Sequence, residues 1–136
     1  MYELFEHTAD LGLRATAPTL DGLFAEMAAC LVAAMLEDPA AVRPTTEMRY
    51  AISCADRELL LADWLRELLR LFEEDHRLFA TFEVSVSDSG LTASIWGEVY
   101  DPDRHLLAHE VKAITYHELK VERTADGWLG EVIVDI

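Results

Sequence analysis

A chain of 136 residues with 26 Asp and Glu against 11 Lys and Arg carries a formal charge of −15. A field of that sign repels phosphate backbones, so independent nucleic-acid binding is not expected; basic proteins and divalent cations suit it, and solubility alone is the plainer reading. With 51% hydrophobic and 27% charged residues the chain reads as one globular domain over 1–136, and it lacks the run of about 18 apolar residues that a membrane span needs.

The opening "YELFE" is a short strand. After "HTAD", Leu11, Leu13, Ala15 and Ala17 alternate with Gly12, Arg14 and Thr16, which is the period of a half-buried strand. Asp10 has the parity of the polar face. Pro18 and Thr19 introduce a helix in which Leu20, Leu23, Phe24, Met27, Ala28, Leu31 and Met35 form an apolar stripe. The prolines of "EDPAAVRPTTE" end it. "MRYAISC" alternates again, setting Met48, Tyr50, Ile52 and Cys54 on one face.

Asp56 is the expected N-cap of a second helix, although Leu59 in place of a glutamate leaves the capping box incomplete. Its wide apolar face is Leu61, Trp64, Leu65, Leu68, Leu69 and Phe72, whereas Asp63, Glu67 and Arg70 fall off the stripe. Core packing is expected of it rather than partner binding. Beyond Leu78 everything is strand and turn. Phe82, Val84 and Val86 lead through "DSG" to Leu91, Ala93, Ile95, Gly97 and Val99, a hairpin. "YDPDRH" is a loop, "EVKAITYHELKVE" one long strand, and "WLGEVIVDI" the last. In that last strand Trp128, Val132, Val134 and Ile136 share one face and Leu129, Glu131, Ile133 and Asp135 the other. The expected fold is α+β, two helices packed on a largely antiparallel sheet, in the order β-β-α-β-α-β-β-β-β.

Two cysteines, Cys30 and Cys54, are too few for a four-thiolate zinc site or a disulfide framework, and both read as small buried hydrophobes. With no basic start followed by an apolar run, a reducing, cytoplasmic setting is expected. Phosphate-binding glycine loops, the G-x-S-x-G elbow and H-E-x-x-H are all missing from the sequence. That weighs against an enzyme.

Two polar concentrations remain. His7, Thr8 and Asp10 lie in a tight connection, which reads either as a capped turn or as part of a site. His105, His109 and His117 are spaced as metal ligands could be, but satisfied or exposed imidazoles are the plainer reading; Lys112 lies among apolar neighbours and can snorkel outward. The end of the chain adds Asp135 and the carboxylate of Ile136. If Asp10 joins them, three carboxylates about 4 Å apart repel by about 1 kcal/mol per pair in water, and by about 4 kcal/mol at an effective dielectric of 20. A bound cation or a captured proton relieves this. All-oxygen ligation suits Ca²⁺, with Mg²⁺ the alternative, whereas zinc prefers the histidines.

Four stretches resemble the archease family: "FEHTADLGLRA", "LLLADWLRELLRLFE", "VKAITYHEL" and "VIVDI", in the family's order and spread over the whole chain. Leu11 and Leu13 replace isoleucines that the family pattern leads one to expect. The resemblance implies an accessory protein of the RNA-splicing ligase RtcB, which joins tRNA halves. Such a protein promotes guanylylation of the ligase by GTP, permits multiple turnover and broadens nucleotide choice. It also implies a metal site at Asp10, Asp135 and Ile136, calcium being the ion most often assigned, and a functional role for Lys112. His7 and Thr8 are expected to support that site. The rival readings are a metal-dependent hydrolase using Asp10 with His7 or His105, and a metal-independent protein or RNA chaperone-like scaffold.

Overall fold

Strand alternation and helix caps fall largely where the sequence places them, and the strands divide between two sheets. The computed structural model describes residues 1–7 and 10–136, so the expected role of Thr8 lies outside the described residues. The order is β1 (Tyr2–His7), β2 (Asp10–Ala17), α1 (Leu20–Met35), a 3-10 turn (Pro39–Ala41), β3 (Thr46–Ser53) and α2 (Arg57–Asp75). Then come β4 (Arg77–Ser87), β5 (Gly90–Val99), β6 (Ala113–Ile114), β7 (Lys120–Thr124) and β8 (Gly127–Asp135). One sheet runs β1-β2-β8-β6, with β7 also on β8; the other runs β3-β5-β4. Every pairing is antiparallel. The class is α+β, with two helices packed on antiparallel sheets.

Both helices start on side-chain caps. The Thr19 hydroxyl accepts from the Gly22 N–H at 3.0 Å, and an Asp56 carboxylate oxygen accepts from Leu59 N–H at 3.0 Å. Each satisfies a backbone donor that the first turn leaves unpaired. α1 touches β1, β2 and β8 of one sheet and β4 of the other. Its burial therefore exceeds one stripe: Cys30, Val32 and Ala34 are buried beside the expected Leu23, Phe24, Met27, Ala28, Leu31 and Met35. Each large apolar side chain so enclosed contributes about 1.5–3 kcal/mol. α2 closes on α1 through Trp64, fully buried, whose indole N–H donates to the Phe24 carbonyl at 3.0 Å. The leucine-rich face of α2 is core.

Three expectations need correction. The strand predicted over "EVKAITYHELKVE" is two short ones. Ile114 pairs with Val134 and Lys120 with Glu131, so five residues, 115–119, pass where β8 has only Val132 and Ile133. The excess is thrown out as a turn. Thr115 pins its start, its N–H and hydroxyl both donating to the Ile133 carbonyl (3.0 and 2.8 Å). The same hydroxyl accepts from His117 N–H at 3.2 Å. Val99, grouped with the alternating apolar set of β5, is exposed at the end of that strand; β4 carries a bulge at Ala80, opposite the Trp96–Gly97 step of β5. Cys54 is half-buried rather than buried.

Candidate functional site

The outer face of the β1-β2-β8 sheet presents charged residues in rows, because cross-strand partners share a face. One row is Glu3, Arg14 and Glu131, in register across β1, β2 and β8. Arg14 sits between the two carboxylates, 2.9 Å from Glu3 and 2.7 Å from Glu131. Both raise its already high pKa, the Glu3 hydrogen bond most. The guanidinium also lies 4.3 Å from the centre of the Phe5 ring, and that ring covers Gly12. Phe5, Gly12 and Ile133 make the next row on this face, with Ile133 buried.

The next row brings in residues of the predicted site. His7 pairs with Asp10 across β1 and β2. Leu11 pairs with Val134, so Asp10 at the start of β2 and Asp135 at the end of β8 each adjoin that pair. Asp135 pairs in turn with Ala113 of β6. Directly opposed strand residues have Cβ atoms about 4.5–5.5 Å apart. Like charges so placed are destabilising. Among the described residues neither Asp10 nor Asp135 has a Lys or Arg ion-pair partner; Asp10 has only His7, with Nδ1 to Oδ2 at 3.9 Å. Ile136 comes directly after Asp135 and packs partly buried against the core.

Lys112 is tied to this row through its backbone, its N–H donating to the Asp135 carbonyl at 2.7 Å. Its side chain is exposed and borders a 360 Å³ groove lined by Met35, Leu69, Phe72, Leu107 and His109. Hard oxygen donors with no basic partner fit a divalent cation such as Ca²⁺ or Mg²⁺.

The loop and turn histidines do not gather. His105 is buried: its Nδ1 accepts from Asp101 N–H at 2.8 Å, and its Nε2–H donates to Glu98 at 3.0 Å. It is a satisfied structural imidazole. Glu98 also receives the Arg104 guanidinium (2.5 and 3.2 Å) and the Arg43 N–H at 2.7 Å. Arg104, with these other donors, holds the Glu98 carboxyl at about 2, well below its usual range. His109 is exposed beside Lys112.

His117 behaves differently. The turn at 115–119 carries it beside His7, the two rings edge to face at 5.4 Å, and Glu118 lies 3.3 Å from His7 Nε2. Sequence reading missed this association of His7, His117 and Glu118. One signal was available: four successive non-aliphatic residues, Thr115, Tyr116, His117 and Glu118, interrupt the alternation a long strand requires.

No helix among the described residues is long and apolar enough to cross a membrane. A model of the Archease protein family matches residues 2–136. The chain is 40% identical over 140 residues to the protein archease of Methanosarcina acetivorans, covering 99% of this chain and 95% of that one. It is 40% identical over 139 residues to that of Methanopyrus kandleri, covering 99% of both. Among solved structures, protein 1598 of Methanobacterium thermoautotrophicum is 30% identical with a TM-score of 0.76, over 99% of this chain and 98% of that one. An archease from Thermotoga maritima, 21% identical with a TM-score of 0.67 over 100% and 98%, shares the fold. With the family's pattern matched almost end to end and its relatives this similar, the chain belongs to the archease family.

Proposed function

We propose that this protein is an accessory factor of the RNA-splicing ligase RtcB, promoting guanylylation of the ligase by GTP and repeated turnover, and is not itself an enzyme. Family membership over residues 2–136 is the observation that carries this reading. The charge of −15 supports docking to a basic, RNA-binding ligase rather than to RNA.

Asp10, Asp135 and the Ile136 carboxylate are the groups that would hold the divalent cation, Ca²⁺ first and Mg²⁺ second. When bound, the ion supplies positive charge that offsets carboxylate repulsion on this face. His7 stands beside Asp10, its Nδ1 3.9 Å from Oδ2. With these groups held together, β2 and the end of β8 form a rigid acidic edge. Lys112, fixed by its backbone to Asp135, extends a point charge from that edge toward a phosphate or a carboxylate of the ligase. Such a group can stabilise charge in the guanylyl transfer, or favour a ligase conformation that reloads.

The test is ligase guanylylation with GTP, with and without this chain. Faster guanylylation and more than one ligation per ligase are expected, with Lys112→Ala folded but inactive as a helper. No acceleration at equimolar amounts contradicts the reading. Full assistance by Asp10→Asn would favour a metal-independent scaffold, and turnover by the chain alone a hydrolase.

A further inference from the structure

We propose that His7, His117 and Glu118 form a second metal site, selective for a zinc-class transition ion and distinct from the hard-oxygen row beside it. One donor atom from each lies within 4.8 Å of the other two. His7 Nε2 is 3.3 Å from one Glu118 carboxylate oxygen, and His117 Nε2 is 3.8 Å from the other. Two imidazoles and a carboxylate are the donor set of open zinc sites, which leave a fourth position to water. Calcium and magnesium take oxygen instead.

Three features of the fold favour this use. The first is backbone shape. Neighbours on a strand point to opposite faces, yet His117 and Glu118 both reach His7. Glu118 achieves this in a left-handed conformation, φ 53°, uncommon for a residue with a side chain. Strain of that kind persists where the surroundings impose it, and here Thr115 anchors the turn to β8.

The second is the unused nitrogen of His7. Its Nδ1 is buried and has no hydrogen-bond partner among the described residues; the nearest carboxylate oxygen is Asp10 Oδ2, at 3.9 Å. An ion on Nε2 fixes the proton on Nδ1 and turns it into a donor toward Asp10. That is the carboxylate–histidine–metal arrangement by which ligating imidazoles are oriented. Asp10 thus serves the nitrogen site through His7 and the oxygen row directly.

The third is adjustability. Zinc bonds of about 2.0–2.1 Å require the donors to close in from their present spacing. His117 and Glu118 side chains are 62% and 58% exposed, so rotamer changes alone can bring them to a fixed His7. The fourth position then opens to solvent.

The site can be tested on the full chain with Co²⁺ as a spectroscopic stand-in for zinc. One Co²⁺ per chain is expected, with visible absorption typical of a tetrahedral ion and no thiolate charge-transfer band. Zinc should displace it and excess calcium should not. His117→Ala and Glu118→Ala, both surface changes whose folding circular dichroism verifies, should each weaken binding more than about 100-fold. Asp10→Asn should cost about 10–100-fold, as loss of an orienting partner does. Asp135→Asn should leave cobalt affinity within about threefold, which separates this site from the oxygen row whether or not that row binds calcium. Cobalt affinity unchanged in Glu118→Ala, or abolished by Asp135→Asn or by calcium, overturns the assignment.

Discussion

Asp10, the first residue of β2, and Asp135, the last of β8, each adjoin the Leu11–Val134 pair at which the two strands are in antiparallel register. Two rows away on this face, Arg14 separates Glu3 from Glu131. One row thus carries a guanidinium between its carboxylates, whereas Asp10 and Asp135 have no Lys or Arg ion-pair partner among the described residues. In the chelated protein, Asp10→Asn or Asp135→Asn should raise the melting temperature by removing about 1 kcal/mol of repulsion. Calcium at 100 times its Kd should stabilise the parent by about 2.7 kcal/mol and the variants by much less. Thermal denaturation with EDTA and with calcium reads both signs.

Acid titrates a different part of the molecule. The Glu98 carboxyl is held at about 2 by Arg104, the Arg43 N–H and His105, against an ordinary 4.5. Because the folded value is depressed, the stability Glu98 supplies is complete above about pH 4.5 and is lost as pH falls toward 2. The stability gap between the parent and Glu98→Gln should narrow across that window and stay constant above it. Denaturant titrations at a series of pH values measure this.

The two thiols should differ sharply. Burial pushes the Cys30 thiol up to about 12, and it donates to the Glu3 carbonyl at 3.5 Å. Cys54 is half-buried at the end of β3. Because the thiolate is the nucleophile, an aromatic disulfide reagent near pH 8 should titrate one thiol in the native protein and both after denaturation. Two fast thiols in the native state would contradict the packing of α1 between the sheets.

Gly12 has no room for a methyl group, since the Phe5 ring occupies the place where a Cβ would stand. Gly12→Ala should cost about 1–3 kcal/mol, the usual penalty of overpacking. Phe5→Ala in the same chain should recover part of it. A double-mutant cycle by chemical denaturation gives the coupling directly.

Much of this was legible in the chain itself. Thr19 and Asp56 announce their helices because an N-cap is a local device, and the alternation around Leu11 and Leu13 gives β2 and its faces. Asp10 could be assigned to the polar face from parity, and the structure makes β2 and β8 neighbours, as the proposed joining of Asp10 and Asp135 requires. The division into two sheets was not legible, since the burial of Cys30, Val32 and Ala34 reads equally as a wide helix stripe. Nor was the break at 115–119. It depends on Thr115 bonding to Ile133, a long-range contact, and on Glu118 in a conformation that glycine usually signals. The grouping of His7 with His117 was hidden for that reason.

The central claim is that oxygens from Asp10, Asp135 and Ile136 meet on one hard cation, and calcium titration calorimetry tests it most directly. The parent chain should bind one ion. Asp135→Asn, and a chain extended by Gly-Ser after Ile136 so that the terminal carboxylate becomes an amide, should each bind at least about tenfold more weakly, a loss of about 1.4 kcal/mol or more. Equal calcium affinity in all three proteins, or no binding by the parent, would contradict it.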